Sequence, residues 1–270
     1  MRLRGVWVCG LGVALVASVA CGGGDNAAKQ SAAPAAAASA GSAASSNVDP
    51  AVAANVSGHV TVDGPVPENA PIKMNADPVC AKSVTSPQSM ETYVVGPDGK
   101  SLGNVFVYVK DGLGNYVSEP PTTPVTIDQK DCRYHPHVFG IQVGQPLEII
   151  NSDPTLHNIH AVAKNNREFN NGQPIQGMKT THTFTAAEAM VPFKCDVHGW
   201  MNAYVGVMTH PFFAVTDATG AFTLKGLPPG TYTIEAWHEK MGTQTQSVTV
   251  AAKESKEIAF TFKAPAPSAN

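Results

Sequence analysis

One short stretch, KCDVHGWM at 194–201, groups three side chains that can bind a metal ion. Cys195 offers a thiolate, His198 an imidazole and Met201 a thioether, so donors of soft to borderline character lie within one loop. The residues before Cys195 alternate between apolar and polar, which indicates a strand leading into the loop. Two histidines, one cysteine and a weak axial methionine form the ligand set of a type 1, or blue, copper centre. The loop therefore predicts a copper site that needs one further histidine.

The sequence offers two candidates for that histidine, His157 and His160, in NSDPTLHNIHA after a second strand-like run. Residues 151–156 are expected to turn the chain so that His157 points inward. Side chains alternate along a strand, so His160 should point to the opposite face, outside the site. We expect His157 to be the ligand, with His160 as the alternative.

The segment from VTIDQ at 125 through GQPLEIINSDPTLHNIHA to FKCDVHGWMNAYVGVM resembles a small cupredoxin. Its C-x2-H-x2-M spacing is most similar to that of the amicyanins. The resemblance implies a Greek-key β-sandwich or barrel at 123–209 and one type 1 copper per chain. The implied ligands are His157, Cys195, His198 and Met201.

The resemblance also assigns roles around the ligands. Asn158 matches the asparagine that braces the copper loop by hydrogen bonding. Electrons would pass through an exposed edge of His198, with Trp200 beside it, to a redox partner such as a c-type cytochrome or a dehydrogenase. Amicyanin-like loops have proline after the second histidine, whereas this chain has Gly199.

Bulk composition favours an all-β protein. Glycine and proline are abundant (24 and 21 residues) and short alternating runs recur, while long helical periodicities are absent. The formal charge is −3, so nucleic acid is not an expected partner. The sequence has no nucleophile elbow, H-E-x-x-H helix or Walker loop, and we expect no enzymatic activity.

The N-terminus indicates export. A basic start and a short apolar run at 1–20 predict a signal peptide, and Cys21 followed by GGGD resembles the lipidation site of a bacterial lipoprotein. Cleavage without lipidation, giving a soluble periplasmic protein, is the alternative. Residues 21–55 are rich in alanine, serine and glycine and predict a flexible tether. We expect the protein at the bacterial cell envelope, on the periplasmic side or anchored in the outer membrane by its lipid.

In an oxidising compartment, two of the remaining cysteines should pair. Cys195 is assigned to the metal, so Cys80 and Cys132 are the predicted disulfide. A bond from Cys195 to either of them is the alternative, and it would destroy the metal site.

The spacing D-x-x-G-x-F-x-L-x-x-L-P-P-G-x-Y-x-I at 217–234 resembles the carboxypeptidase-regulatory-like, transthyretin-like β-sandwich. Two hairpin turns, at 217–220 and 227–230, are expected within it. Its usual first strand matches residues 58–60, far upstream. We therefore expect a sandwich split across 56–122 and 210–264, with the cupredoxin inserted and a tail at 265–270. Two tandem domains are the alternative.

These features favour a single-copper electron carrier. Two other function classes stay open: a metal-binding protein without redox turnover, with zinc or copper, and a structural or adhesive surface lipoprotein. The methionine favours copper over zinc, because zinc sites make little use of thioethers.

Overall fold

The computed structural model describes residues 48–266. The signal peptide, Cys21 and most of the tether lie outside these residues, as does most of the tail. None of the helices described is both long and apolar enough to span a membrane.

The predicted all-β class is confirmed. The strands are β1 (Ala54–Asp63), β2 (Val94–Val95), β3 (Leu102–Gly103), β4 (Phe106–Asp111), β5 (Val125–Lys130), β6 (Arg133–His135), β7 (Val138–Gln142), β8 (Pro146–Asn151), β9 (His157–Ala161), β10 (Phe169–Gln173), β11 (Lys179–Thr183), β12 (Glu188–Lys194), β13 (Asn202–Met208), β14 (Phe213–Val215), β15 (Ala221–Leu227), β16 (Gly230–His238), β17 (Gly242–Val250) and β18 (Ser255–Lys263).

Two sheets form a first sandwich from both ends of the described chain. One has the order β15-β1-β18 and the other β14-β4-β16-β17. Val105, Val107 and Val109 alternate with polar or aromatic neighbours and point into the core between the sheets. Strand β1 pairs with β18 and β4 pairs with β16, which is the pairing that a split sandwich requires. The exact domain boundaries stay a prediction.

The turns within this sandwich differ from the expected hairpins. Residues 217–220 do turn the chain, with the Gly220 amide donating to the Asp217 carbonyl at 2.9 Å. However, β14 and β16 belong to one sheet and β15 to the other. Both turns therefore carry the chain from sheet to sheet instead of joining neighbouring strands.

The strands between β4 and β14 form a second sandwich, which we term the metal module. Its sheets have the orders β10-β9-β12-β13-β7 and β11-β8-β5-β6. Inward-facing residues of β7, β8 and β12 fill the space between them, and Cys195 lies at one end of the same core. Strands β9 and β12 are neighbours in the first of these sheets, so two parts of the chain that are distant in sequence lie side by side.

Two glycines let the sandwiches approach closely. Gly140 and Gly206 are register partners on the parallel strands β7 and β13. A Cβ on Gly206 would lie 2.3 Å from the Phe106 ring, and one on Gly140 would lie 2.3 Å from Phe213. These two rings stack on each other, with centroids 5.7 Å apart. The paired glycines therefore form the surface against which β4 and β14 dock.

Residues 70–90, which we term the cap, leave the first sandwich and fold over the metal module. The sequence has no clear hydrophobic period here, but the cap contains a 3-10 helix, Met74–Ala76, and the short helix α1, Pro78–Ser83. A bridge between Pro71 and Ser89 closes its base. Asp77 caps α1 by accepting from the amides of Val79 and Cys80, and proline follows as the first helical residue.

We expect Gly206→Ala to lower the free energy of unfolding by roughly 1–3 kcal/mol, because the added methyl overlaps a fully buried ring. Urea unfolding measures this change. Gly172→Ala is the control, since a Cβ there has no neighbour within 4 Å. Equal stability of the two variants would contradict the close docking of the sandwiches.

Candidate metal centre

The loop after β12 and the start of β9 place the predicted ligands together. Ligand atoms of His157, Cys195 and His198 all lie within 4.8 Å of one another. The two Nδ1 atoms are 2.9 Å apart, and the Cys195 Sγ lies 3.9 Å from Nδ1 of His198. His157 is 0% exposed, Cys195 2% and His198 3%, so the donors are removed from water.

Met201 belongs to the same apolar core cluster as Cys195 and is 1% exposed. Its amide donates to the His198 carbonyl at 2.9 Å, and its carbonyl accepts from the Cys195 amide at 3.1 Å. These two bonds close the loop into a compact turn. The loop geometry therefore fixes Cys195, His198 and Met201 relative to one another.

A carboxylate holds the outer nitrogen of His157. Its Nε2 lies 2.9 Å from Oδ2 of Asp153. Asp153 in turn accepts from the amides of Asp131 and Cys132, at 2.9 and 2.8 Å. Burial raises the pKa of Asp153, but its hydrogen bonds with His157 and the two amides outweigh that effect and lower it. No motif in the sequence pointed to Asp153, although it lies four positions before His157.

A second carboxylate holds the outer nitrogen of His198. Its Nε2 lies 2.9 Å from Oδ2 of Asp77, which is in the cap. Burial raises the pKa of Asp77, but hydrogen bonds from His198, the Cys80 and Val79 amides and Thr155 lower it to about 2. An ionised carboxylate only accepts hydrogen bonds, so each histidine carries a proton on Nε2. Nδ1 is therefore the nitrogen that each ring presents to a metal.

The pKa values of Cys195 and His157 fit metal binding. Burial raises the pKa of Cys195, yet hydrogen bonds with the His157 and His198 side chains and with the Asn158 backbone amide lower it to about 6. Burial lowers the pKa of His157, but Asp153 and Cys195 raise it to about 8. The metal-free site thus holds a thiolate beside protonated imidazole. His157, Cys195 and His198 would hold a metal ion only after giving up these protons, so metal binding would release protons.

Asn158 contacts the loop as the resemblance implies. Its Oδ1 accepts from the Asp196 amide at 2.8 Å and, when Cys195 is protonated, from its thiol at 3.2 Å. Its Nδ2 donates to Asn170 at 2.7 Å. The side chain therefore joins β9, β10 and the loop.

The expectation that His198 has an exposed edge is wrong. The Asp77 carboxylate covers Nε2 of His198, and the Cys80 Sγ lies 3.7 Å from the same nitrogen. Trp200 is half-buried: it packs against Met74 and Cys80 of the cap and donates from Nε1 to the Cys132 carbonyl at 2.9 Å. The sequence could not reveal this cover, because the cap comes from a segment more than a hundred residues away.

His160 lies outside the site. Its Nδ1 is 2.9 Å from Asp196 and its Nε2 is 2.5 Å from Glu168. Another histidine, His137, bridges to Glu239 of the first sandwich at 2.5 Å. Neither ring belongs to the ligand cluster around Cys195.

Cys80 and Cys132 form the predicted disulfide, which joins α1 to the turn between β5 and β6. Cys195 is the free cysteine among residues 48–266. Met74 and Cys80 form a small apolar cluster with Cys132, against which Trp200 packs. The disulfide therefore anchors the cap beside the metal site.

Comparisons with known proteins cover parts of the chain. Residues 202–263 match the model of the carboxypeptidase regulatory-like domain. No curated protein matches the chain. Among solved structures, a copper-containing nitrite reductase from Thermus scotoductus SA-01 is 20% identical, with 33% of this chain and 25% of that chain covered and a TM-score of 0.30. The alignment thus spans only a quarter of that reductase.

Two smaller copper proteins are similar over the same share of this chain. A purple cupredoxin from Nitrosopumilus maritimus is 23% identical, with 31% of this chain and 98% of that chain covered and a TM-score of 0.27. A methionine-to-alanine variant of amicyanin, in its Cu(I) form, is 24% identical, with 31% and 81% covered and a TM-score of 0.28.

In the metal-free protein we expect the Cys195 thiol to ionise at about pH 6, because hydrogen bonds from the two histidines stabilise the thiolate. Thiolate is then the main form above that pH. Ultraviolet absorbance followed against pH measures the transition, and the difference from Cys195→Ser isolates this thiol. A midpoint near the ordinary value of about 8.5 would contradict the contacts described.

Proposed function

We propose that this protein carries single electrons at one type 1 copper bound by His157, Cys195 and His198, with Met201 as the axial ligand. The observation that carries the proposal is the convergence of two imidazole Nδ1 atoms and one acidic thiol in a buried cluster. Two histidines and one cysteine with a weak methionine are the donors of blue copper sites.

The residues around the donors support an electron carrier because they hold the ligands still. Copper supplies the one-electron couple when bound. Asp77 and Asp153 fix the ring planes of the two histidines, and Asn158 fixes the loop beside Cys195. Ligands held in this way keep one geometry in both oxidation states, so electron transfer requires little rearrangement.

Hydrogen bonds to the Cys195 sulfur provide a means of tuning the reduction potential of the proposed copper site. The His198 amide donates to the Cys195 Sγ at 3.3 Å. Donors to a ligand sulfur draw electron density from it and alter the reduction potential. The loop therefore contributes to the potential as well as to the geometry.

A second candidate is a zinc site without redox turnover. The observation that favours it is the pair of carboxylates, because carboxylate–histidine–zinc arrangements recur in zinc proteins. The buried Met201, which follows His198 in the loop and shares an apolar cluster with Cys195, favours copper, because zinc sites make little use of thioethers. The spectrum of the copper-loaded protein separates these two functions.

The cellular setting follows from the sequence. We propose a lipid anchor at Cys21, the bacterial envelope as the location, and a c-type cytochrome or dehydrogenase as the redox partner. The proposal includes no enzymatic activity. The carboxypeptidase regulatory-like segment at 202–263 supplies β14 to β18, the later strands of the first sandwich, and we propose that this sandwich supports the metal module.

Titrating the full chain with Cu(II) tests the function. We expect an intense thiolate-to-copper charge-transfer band that saturates at one copper per chain and a narrow copper hyperfine splitting by EPR. Cys195→Ser should lose the band, because it removes the sulfur. Folded, copper-loaded protein without the band would contradict the electron-transfer function and favour the zinc site.

Two histidine variants test the ligand set. His157→Ala should abolish the band, since it removes one donor of the buried cluster. His160→Ala should keep it, because that ring bonds to Asp196 and Glu168 instead. The reverse result would make His160 the ligand.

A further inference from the structure

We propose that Asp77 is a positioning residue of the metal centre, and that the cap exists to hold it over His198. This inference rests on the proposed function, because the centre is assumed to bind copper. The resemblance that suggested an exposed His198 gave no reason to expect a carboxylate there. Asp77 also lies 121 positions before the histidine that it contacts.

The two carboxylate oxygens of Asp77 have separate partners. Oδ1 accepts from the Val79 and Cys80 amides at 2.7 and 3.2 Å, which caps α1. Oδ2 accepts from the Thr155 hydroxyl at 3.1 Å and faces Nε2 of His198 at 2.9 Å. The first oxygen therefore fixes the side chain in the cap, while the second orients the imidazole.

The cap has several attachments that keep Asp77 in place. The bridge between Pro71 and Ser89 closes its base, and the disulfide ties α1 to Cys132. Arg133 adds a hydrogen bond to Gln88 at 3.0 Å. The bridge closes the cap on itself, whereas the disulfide and the Arg133 hydrogen bond join it to the β5–β6 edge of the metal module.

The same disulfide connects both histidine-orienting carboxylates. The Cys80 amide donates to Asp77, and the Cys132 amide donates to Asp153. Each half of the bridge therefore holds the partner of one metal-site histidine. The disulfide therefore helps to position both carboxylates in addition to anchoring the cap.

The chemical effect is on the tautomer of His198. A carboxylate facing Nε2 keeps the proton on that nitrogen and leaves the Nδ1 lone pair for the metal. If an NH₂ group replaced the Oδ2 atom of Asp77, the Nε2 atom of His198 would face a hydrogen-bond donor. The favoured neutral ring would then accept at Nε2 and carry its proton on Nδ1, where it blocks the metal.

Asp77→Asn makes this substitution with little change in shape. The Oδ1 atom must continue to accept from the two amides of α1, so the new NH₂ group takes the position of Oδ2. Asp98→Asn is a matched control in an exposed turn. There Oδ1 also accepts from two amides, those of Lys100 and Ser101, and Oδ2 accepts from the Ser101 hydroxyl.

The tautomer can be read in the metal-free full chain by nitrogen-15 NMR of labelled histidine, at alkaline pH where the rings are neutral. We expect His198 to carry its proton on Nε2 in the wild-type and Asp98→Asn proteins, and mainly on Nδ1 in Asp77→Asn. A wild-type His198 protonated on Nδ1 would overturn the inference even if no variant folds. An unchanged tautomer in folded Asp77→Asn would also overturn it.

Metal affinity gives a second readout. We expect Asp77→Asn to bind Cu(I) about 10–100-fold more weakly than the control in a chelator competition, the usual cost of losing such a partner. Equal affinities would contradict the inference. If wild-type protein binds copper without the charge-transfer band, the electron-transfer function fails, whereas the tautomer result still decides the role of Asp77.

Discussion

A buried imidazole has two ring nitrogens, and only one of them can face a metal. At this centre both histidines are almost fully removed from water, so the second nitrogen of each ring needs a partner from the protein. Asp153 and Asp77 are those partners. The turn between β5 and β6 holds Asp153, and the cap holds Asp77. The disulfide joins this turn to the cap, so all three features help to position the two carboxylates.

Each carboxylate then needs partners of its own, because a buried charge without hydrogen bonds is costly. The backbone amides of two successive residues, Asp131 and Cys132, are the hydrogen-bond partners of the Asp153 carboxylate. Asp131 and Cys132 both have φ of +54°, a conformation that is uncommon outside glycine. Their amides donate to the two different oxygens of the Asp153 carboxylate, which stabilises its negative charge. The two-residue hairpin between β5 and β6 requires this conformation at both positions, and the same turn thereby supplies the amides that hold the partner of His157.

Local patterns made part of this structure predictable. Alternation in GNVFVYVKDG predicts valines on one face of a strand and aromatic residues on the other, and the structure places the two sets in separate apolar clusters. Alternation around His157 likewise separated it from His160, and cysteine counting gave the disulfide. Spacing within a strand or loop is a property of neighbouring residues, so it is visible without tertiary structure.

Asp77 could not be found in that way. Its aspartate-proline pair is a helix-start signal, and it predicts a helix cap but not what lies opposite. The position of the cap depends on contacts between segments that are far apart in the sequence. For the same reason the burial of His198 contradicted the expectation taken from the family resemblance, since that resemblance covered the metal module and not the segment folded over it.

The completed site concentrates negative charge around the donors. One thiolate and two carboxylates lie near the two imidazoles, and in the metal-free protein protons balance part of that charge. A cation that displaces those protons is held by the same groups, so metal binding and proton release are coupled. In the proposed copper-loaded form, anions near the ligands would stabilise the more highly charged Cu(II) state, whereas burial would favour the less charged Cu(I) state. The cap contributes to both effects, because it brings the Asp77 carboxylate to the site and excludes water from the same edge of His198.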